Sequence, residues 1–160
     1  MNVQSLLSLA SRSVLAIAGI IVLMLGLMKL TNFETFLAAV EAHELMPDWS
    51  LSYVAWSVPV IEVILGGGML WAVTTSLRAS AFGSLALSLF LLAMTVYAAG
   101  LWISPPPEPV SCGCMPNAEV INSWKSVTIR NGSLTAITAI VSRVLIGVSE
   151  RSCRLTTALA

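Results

Sequence analysis

The sequence predicts an all-α integral membrane protein: a four-helix bundle with a short outer amphipathic helix between helices 1 and 2. Two observations predict it. Hydrophobic residues make up 57% of the chain and charged residues 10%, against about 45–50% and about 25% in an ordinary soluble domain. Four apolar stretches, at about 14–30, 53–75, 79–103 and 127–149, approach or exceed the roughly 20 residues that cross a hydrocarbon core. Backbone groups in lipid must satisfy their own hydrogen bonds, so the stretches are read as helices. The same composition excludes a cytosolic enzyme and a disordered chain. A net charge of zero with no basic run argues against nucleic acid as a partner.

The first span, Val14 to Leu30, carries one charge, Lys29. Arg12 before an apolar run resembles the start of a signal peptide. No small-x-small cleavage site follows in Leu27-Met28-Lys29-Leu30-Thr31, so the helix is read as retained. Lys29 is read as snorkelling to the headgroups. Between the first two spans, Phe33, Phe36, Leu37 and Val40 recur at helical spacing, with Glu34, Glu41 and Glu44 elsewhere. That pattern predicts an amphipathic surface helix ended by Pro47, with His43 as a surface histidine.

The second span, about Tyr53 to Thr75, contains Glu62 near its middle, on a face shared with Pro59 and Gly66. An intramembrane carboxylate is costly and faces a partner or a cavity. Two roles stand open: a proton acceptor or donor, and an ion pair that fixes helix register, with Lys29 and Arg143 as the available cations. The third span, Ala79 to Ile103, is free of charge. Its Ser80, Ser84 and Ser88 stack at successive turns and invite close helix packing. Ser104-Pro105-Pro106-Pro107-Glu108-Pro109 then breaks the helix and precedes Cys112-Gly113-Cys114-Met115-Pro116. In the fourth span, Val127 to Ser149, alignment of Thr135, Ala139 and Arg143 places Arg143 in the bundle interior.

Arg12, Arg78, Arg143, Arg151 and Arg154 fall on one side of this topology, and Lys29, Lys125 and Arg130 on the other. The bias places both termini inside. Residues 1–150 then form one membrane domain and 151–160 a short cytoplasmic tail. Trp49, Trp56 and Trp102 fall near outer span ends, where indoles suit the headgroup level.

Cys112 and Cys114 are the strongest candidates for chemistry. Two thiols one residue apart close only a tight ring, and a strained, accessible disulfide exchanges readily. The outer compartment permits disulfides. As structural staples the pair would need Cys153, which falls on the reducing side. Zinc needs four ligands and His43 is the sole histidine, so no metal is expected. Arg130, close in sequence, is a candidate thiolate stabiliser, or else an interfacial anchor. Trp124 is read as an interface anchor and Cys153 as a reduced bystander.

These landmarks, in this order, resemble the MauE/DoxX-like family of small four-helix membrane proteins. The similarity is carried by Gly26-Leu27-Met28-Lys29-Leu30, by Phe36-Leu37-Ala38-Ala39-Val40 through His43 to Leu45-Met46-Pro47, and by Pro59-Val60-Ile61-Glu62 with Gly66. Cys112-Gly113-Cys114, followed by Trp124 and Arg130-Asn131, completes it, although Met115-Pro116 stands where the family commonly continues Phe-Gly. The resemblance implies a redox-associated protein of the bacterial inner membrane. MauE-type members are linked to maturation of the disulfide-rich small subunit of methylamine dehydrogenase, working with a thioredoxin-like periplasmic partner. DoxX-like relatives imply a quinone as candidate cofactor.

Two functions follow as expectations. The leading one is a thiol–disulfide component exchanging electrons through Cys112 and Cys114, either as an oxidoreductase itself or as an accessory to one. The alternative is a non-catalytic anchor or assembly subunit of a quinone-linked membrane oxidoreductase.

Overall fold

The computed structural model describes the backbone of residues 3–107, 110 and 123–158, and the side chains of 6–107, 110 and 123–149. Among these residues the chain forms helices α1 (Val3–Thr31), α2 (Phe33–Glu41), α3 (Asp48–Thr75), α4 (Leu77–Ile103) and α5 (Trp124–Ala158), and no strand. Four stretches are long and apolar enough to cross a membrane: Leu6–Thr31, Asp48–Thr75, Leu77–Ile103 and Trp124–Ser149. Each overlaps an expected span and runs further at one or both ends. The extra turns carry polar residues such as Asp48, Ser50 and Ser52. They interrupt a hydropathy run without interrupting backbone hydrogen bonding. α5 continues as helix to Ala158, through residues read as a tail.

The amphipathic helix is present but shorter than expected. α2 ends at Glu41 rather than at Pro47. The chain then turns through Glu44, whose φ of 51° lies in the left-handed region. Pro47 instead opens α3: its extended backbone is the N-cap, and its carbonyl accepts both the Ser50 amide and the Ser50 hydroxyl. A proline suits a helix start because its missing N–H would have no intrahelical partner there. Phe36 and Val40 of α2 pack with Ala55 of α3, and Phe33 stacks on Trp56 at 4.4 Å.

The helices associate as two close pairs, α1 with α3 and α4 with α5. Glycine lets the first pair approach. A Cβ on Gly66 would lie 2.5 Å from the Leu23 amide nitrogen, and one on Gly26 would lie 2.9 Å from the Pro59 carbonyl oxygen. The Arg12 guanidinium donates to the Val73 carbonyl at the far end of this pair.

Serine builds the second pair. Ser84 Oγ donates to the Thr138 carbonyl at 2.8 Å and Ser88 Oγ to the Thr135 carbonyl at 3.3 Å. Ser142 of α5 returns a bond to the Ala81 carbonyl at 3.1 Å. The expected Ser80–Ser84–Ser88 face is therefore buried and bonded. Interhelical hydrogen bonds in membrane proteins average about 0.6 kcal/mol. Ser84→Ala is expected to lower bundle stability by about that amount in detergent unfolding titrations.

One residue, Ser76, joins α3 to α4; its side chain accepts the Ala79 amide and caps α4. Ser80 Oγ also reaches back to the Ala72 carbonyl, which clamps α3 and α4 together at that end. Leu15, Met69, Ala81, Leu87 and Leu145 form the apolar core that all four long helices share. Large apolar side chains such as Ile20, Trp71, Phe82 and Ile140 point outward, as a bundle immersed in lipid requires.

Arg143 corrects the sequence reading: it is exposed, while Thr138, Ser142 and Leu145 hold the buried stripe of α5. A stripe through Thr138, Ser142 and Leu145 advances by four and then three residues, and Arg143 falls outside that phase.

Candidate functional site

At the end of the bundle away from Ser76, five elements converge on one buried polar group and one cavity. The polar group is an ion pair. Lys29, in the last turn of α1, turns inward and donates to Glu62 Oε1 at 2.5 Å. The two residues are 6% and 5% exposed. This overturns the reading of Lys29 as a snorkelling anchor. The reason is local: Gly26, one turn earlier, lies against Pro59 and Glu62, so the carboxylate sits within reach of the lysine stem. An unpaired carboxylate in hydrocarbon costs more than the rotamer freedom that Lys29 gives up. Of the two cations left open for Glu62, Lys29 is the partner. Among the described residues nothing hydrogen-bonds Glu62 Oε2. The Lys29 ammonium also lies 5.3 Å from the centre of the Phe36 ring.

The cavity, about 240 Å³, lies beside this pair. Lys29 and Phe36 form part of its wall, with Val54 and Val58 of α3 and Met94 and Tyr97 of α4. His43 lines it as well and is only 3% exposed. It is not the surface histidine expected. The short α2 and the turn after it carry its ring inward, where Nδ1 and the Tyr97 hydroxyl lie 2.7 Å apart. Which group donates depends on the imidazole tautomer. Trp124 meets the same imidazole edge-on at 5.2 Å. Trp124 is thus half-buried against the cavity and not simply an interface anchor. Lys125 beside it is exposed and lies 5.9 Å from the centre of the Trp102 ring.

Trp124, Val127 and Asn131 bring α5 to the cavity. Their spacing of three and four residues places them on one helical face. Arg130 lies off that face and is exposed. Cys112 and Cys114 lie outside the described residues, as does the Cys153 side chain. The structure therefore brings together Glu62 with Lys29, His43, Tyr97, Trp124 and Asn131, and leaves Arg130 apart from them. Tyr97 and the inward turn of His43 escaped the sequence reading. A tyrosine in an otherwise uncharged, apolar span was the available signal, since a phenol in lipid needs a partner. Among the described residues no group of three or more His, Cys, Asp or Glu is placed to hold a metal.

A four-helix, multi-pass membrane protein with a buried ion pair beside a polar-edged cavity is the class that these features define. The chain belongs to the MauE family, described as methylamine utilisation protein MauE, whose model matches residues 5–144. It is thereby a membrane protein of a family linked to methylamine utilisation. No curated protein and no solved structure matches the chain.

Proposed function

We propose that this protein is a thiol–disulfide component of a bacterial inner membrane, in which Cys112 and Cys114 cycle between dithiol and disulfide. The observation that carries the reading is where the pair is tethered. Ile103 ends α4 and Trp124 begins α5, at the end of the bundle that holds the His43–Tyr97 bond and the cavity. Both thiols lie within about ten residues of those helix ends, a reach of at most roughly 35 Å. Family membership supports the same reading, and so does charge. With Lys29 paired inside the bundle, Lys125 and Arg130 are the basic residues left at the cavity end. The clustering of Arg12, Arg78, Arg151 and Arg154 toward the other end supports reading that end as the cytoplasmic one. The thiols then face an oxidising compartment.

In each exchange, a thiolate attacks the disulfide of a periplasmic thioredoxin-like protein or exported client, and a mixed disulfide forms as the partner's bond breaks. The second cysteine of the pair displaces the partner, which leaves as a dithiol carrying two electrons and two protons. The reverse sequence oxidises the partner. Arg130 is the cation available to favour a thiolate. Cys114→Ser is expected to trap a mixed disulfide through Cys112 in spheroplasts. A membrane-impermeant maleimide is expected to label Cys112 and Cys114 after reduction but not Cys153. No adduct, with Cys112 and Cys114 both unlabelled, overturns the reading. Full function in a Cys112→Ser/Cys114→Ser variant would make the protein an assembly subunit instead.

A further inference from the structure

We propose that the groove between α4 and α5 at the Ser76 end of the bundle is a specific site for one anionic phospholipid. The groove, about 370 Å³, is lined by Arg78, Ala81, Phe82 and Leu85 of α4 and by Ile146 and Ser149 of α5. Its polarity changes along its length. Arg78 and Ser149 stand where α4 begins and where the fourth apolar span ends, so both mark the membrane surface. Helical side chains lean toward the helix N-terminus, which carries the Arg78 guanidinium further toward the headgroups. Deeper in, the walls are apolar. Buried Ala81 forms the floor, and exposed Phe82, Leu85 and Ile146 form the sides. Leu85 lies seven residues beyond Arg78, about 10 Å along the axis. A charged mouth that leads into an apolar trough open to the bilayer matches a ligand with a phosphate head and an acyl chain.

Charge selects the anionic kind. Among the described residues no carboxylate pairs with Arg78 or Arg143. The described acidic side chains are Glu34, Glu41, Glu44, Asp48 and Glu62, all on α2, on the turn after it, or on α3 before its last three turns. By sequence, Glu150 alone offsets Arg12, Arg78, Arg143, Arg151 and Arg154 at the groove end. Arg143 adds a second cation to this groove. It lies three residues before Ile146 and therefore on the same side of α5. It is exposed six residues, or about 9 Å, inside the end of its span. An arginine at that depth is costly without a counter-charge, and snorkelling carries its guanidinium toward the same headgroup. A phosphodiester accepts paired hydrogen bonds from a guanidinium. In a zwitterionic lipid the headgroup's own ammonium competes for that phosphate.

This site is at the opposite end of the bundle from the cavity and does not depend on the cysteines or on which compartment the groove faces.

The test uses the full chain in detergent micelles, titrated with dioleoylphosphatidylglycerol and followed by native mass spectrometry. One tightly retained lipid per chain is expected, with at least tenfold weaker retention of dioleoylphosphatidylcholine, which has the same chains. Arg78→Gln/Arg143→Gln is expected to abolish that preference while keeping the wild-type thermal midpoint in phosphatidylcholine, since neither arginine has a partner to lose among the described residues. Arg12→Gln removes a cation from the same end but away from the groove, where Arg12 bonds the Val73 carbonyl, and is expected to keep the preference. Millimolar inorganic phosphate and dihexanoylphosphatidylglycerol, whose chains are too short to fill the trough, are expected not to displace the bound lipid. Equal retention of the two dioleoyl lipids, or an undiminished preference in the double variant, overturns the proposal. So does an equal loss in Arg12→Gln, which would reduce the effect to general surface charge, or displacement by inorganic phosphate, which would reduce it to a bare anion site.

Discussion

Glu62→Leu and Lys29→Met are each expected to lower the unfolding free energy by about 3–5 kcal/mol, the range for leaving one charge of a buried pair uncompensated. Both residues are almost fully enclosed, and each variant strands the other's charge inside the bundle. The double variant is the more informative protein. Replacing both partners with apolar side chains of similar volume removes the stranded charge and the desolvation cost together, and such replacements are commonly neutral or stabilising. Lys29→Met/Glu62→Leu is therefore expected to recover most of the stability lost by either single variant. A double-mutant cycle read by unfolding in mixed micelles gives the coupling directly. Additive losses in the double variant would show that the two side chains do not act as a pair. Recovered stability has a second consequence. It would mean that the pair is not retained for stability, and Lys29 also lines the cavity.

The sequence showed the helices more clearly than it showed which way their polar residues turn. Long apolar runs report membrane spans because nearly every residue of such a run contributes. The Ser80–Ser84–Ser88 stripe was legible for a related reason: four-residue spacing on a regular helix fixes a shared face. Lys29 and Arg143 were misread in opposite senses. Both sit toward the ends of apolar spans, where snorkelling and inward pairing are each available to a long side chain. The choice is made by a neighbour on another helix. For Lys29 that neighbour is Glu62, brought close by the contact of Gly26 with α3. For Arg143 no such contact exists among the described residues, and the buried stripe of α5 runs through Ser142 and Leu145. His43 was hidden for another reason. Its burial depends on α2 stopping at Glu41 and on the left-handed turn at Glu44, and a non-glycine residue in that conformation carries no strong sequence signal. The cavity exists only where residues distant in sequence converge, so its shape was not readable from any one segment.

The three adjacent glycines of α3 are expected to respond with opposite signs to the same substitution. A methyl group added at Gly67 or Gly68 would meet nothing within 4 Å. Gly67→Ala and Gly68→Ala should each stabilise α3 by up to about 1 kcal/mol through helix propensity. At Gly66 an added Cβ would lie 2.5 Å from the Leu23 nitrogen, 2.7 Å from Leu23 Cβ and 2.8 Å from the Gly19 carbonyl oxygen. Two of those atoms are backbone, so no rotamer change relieves the clash, and α1 must move away from α3. Overpacking of this kind typically costs about 1–3 kcal/mol and occasionally more, which outweighs the propensity gain. Gly66→Ala should therefore destabilise the bundle and Gly66→Val more so. The displacement should also reach the site. Gly26 and Lys29 lie further along α1, and the same separation draws Lys29 away from Glu62. Unfolding titrations of the three alanine variants test the sign reversal, since a shared sign at positions 66, 67 and 68 would mean that α1 does not lie against Gly66. A Gly66→Ala protein that is destabilised yet keeps the full Lys29–Glu62 coupling energy would show that the glycine contact and the ion pair are independent parts of the interface.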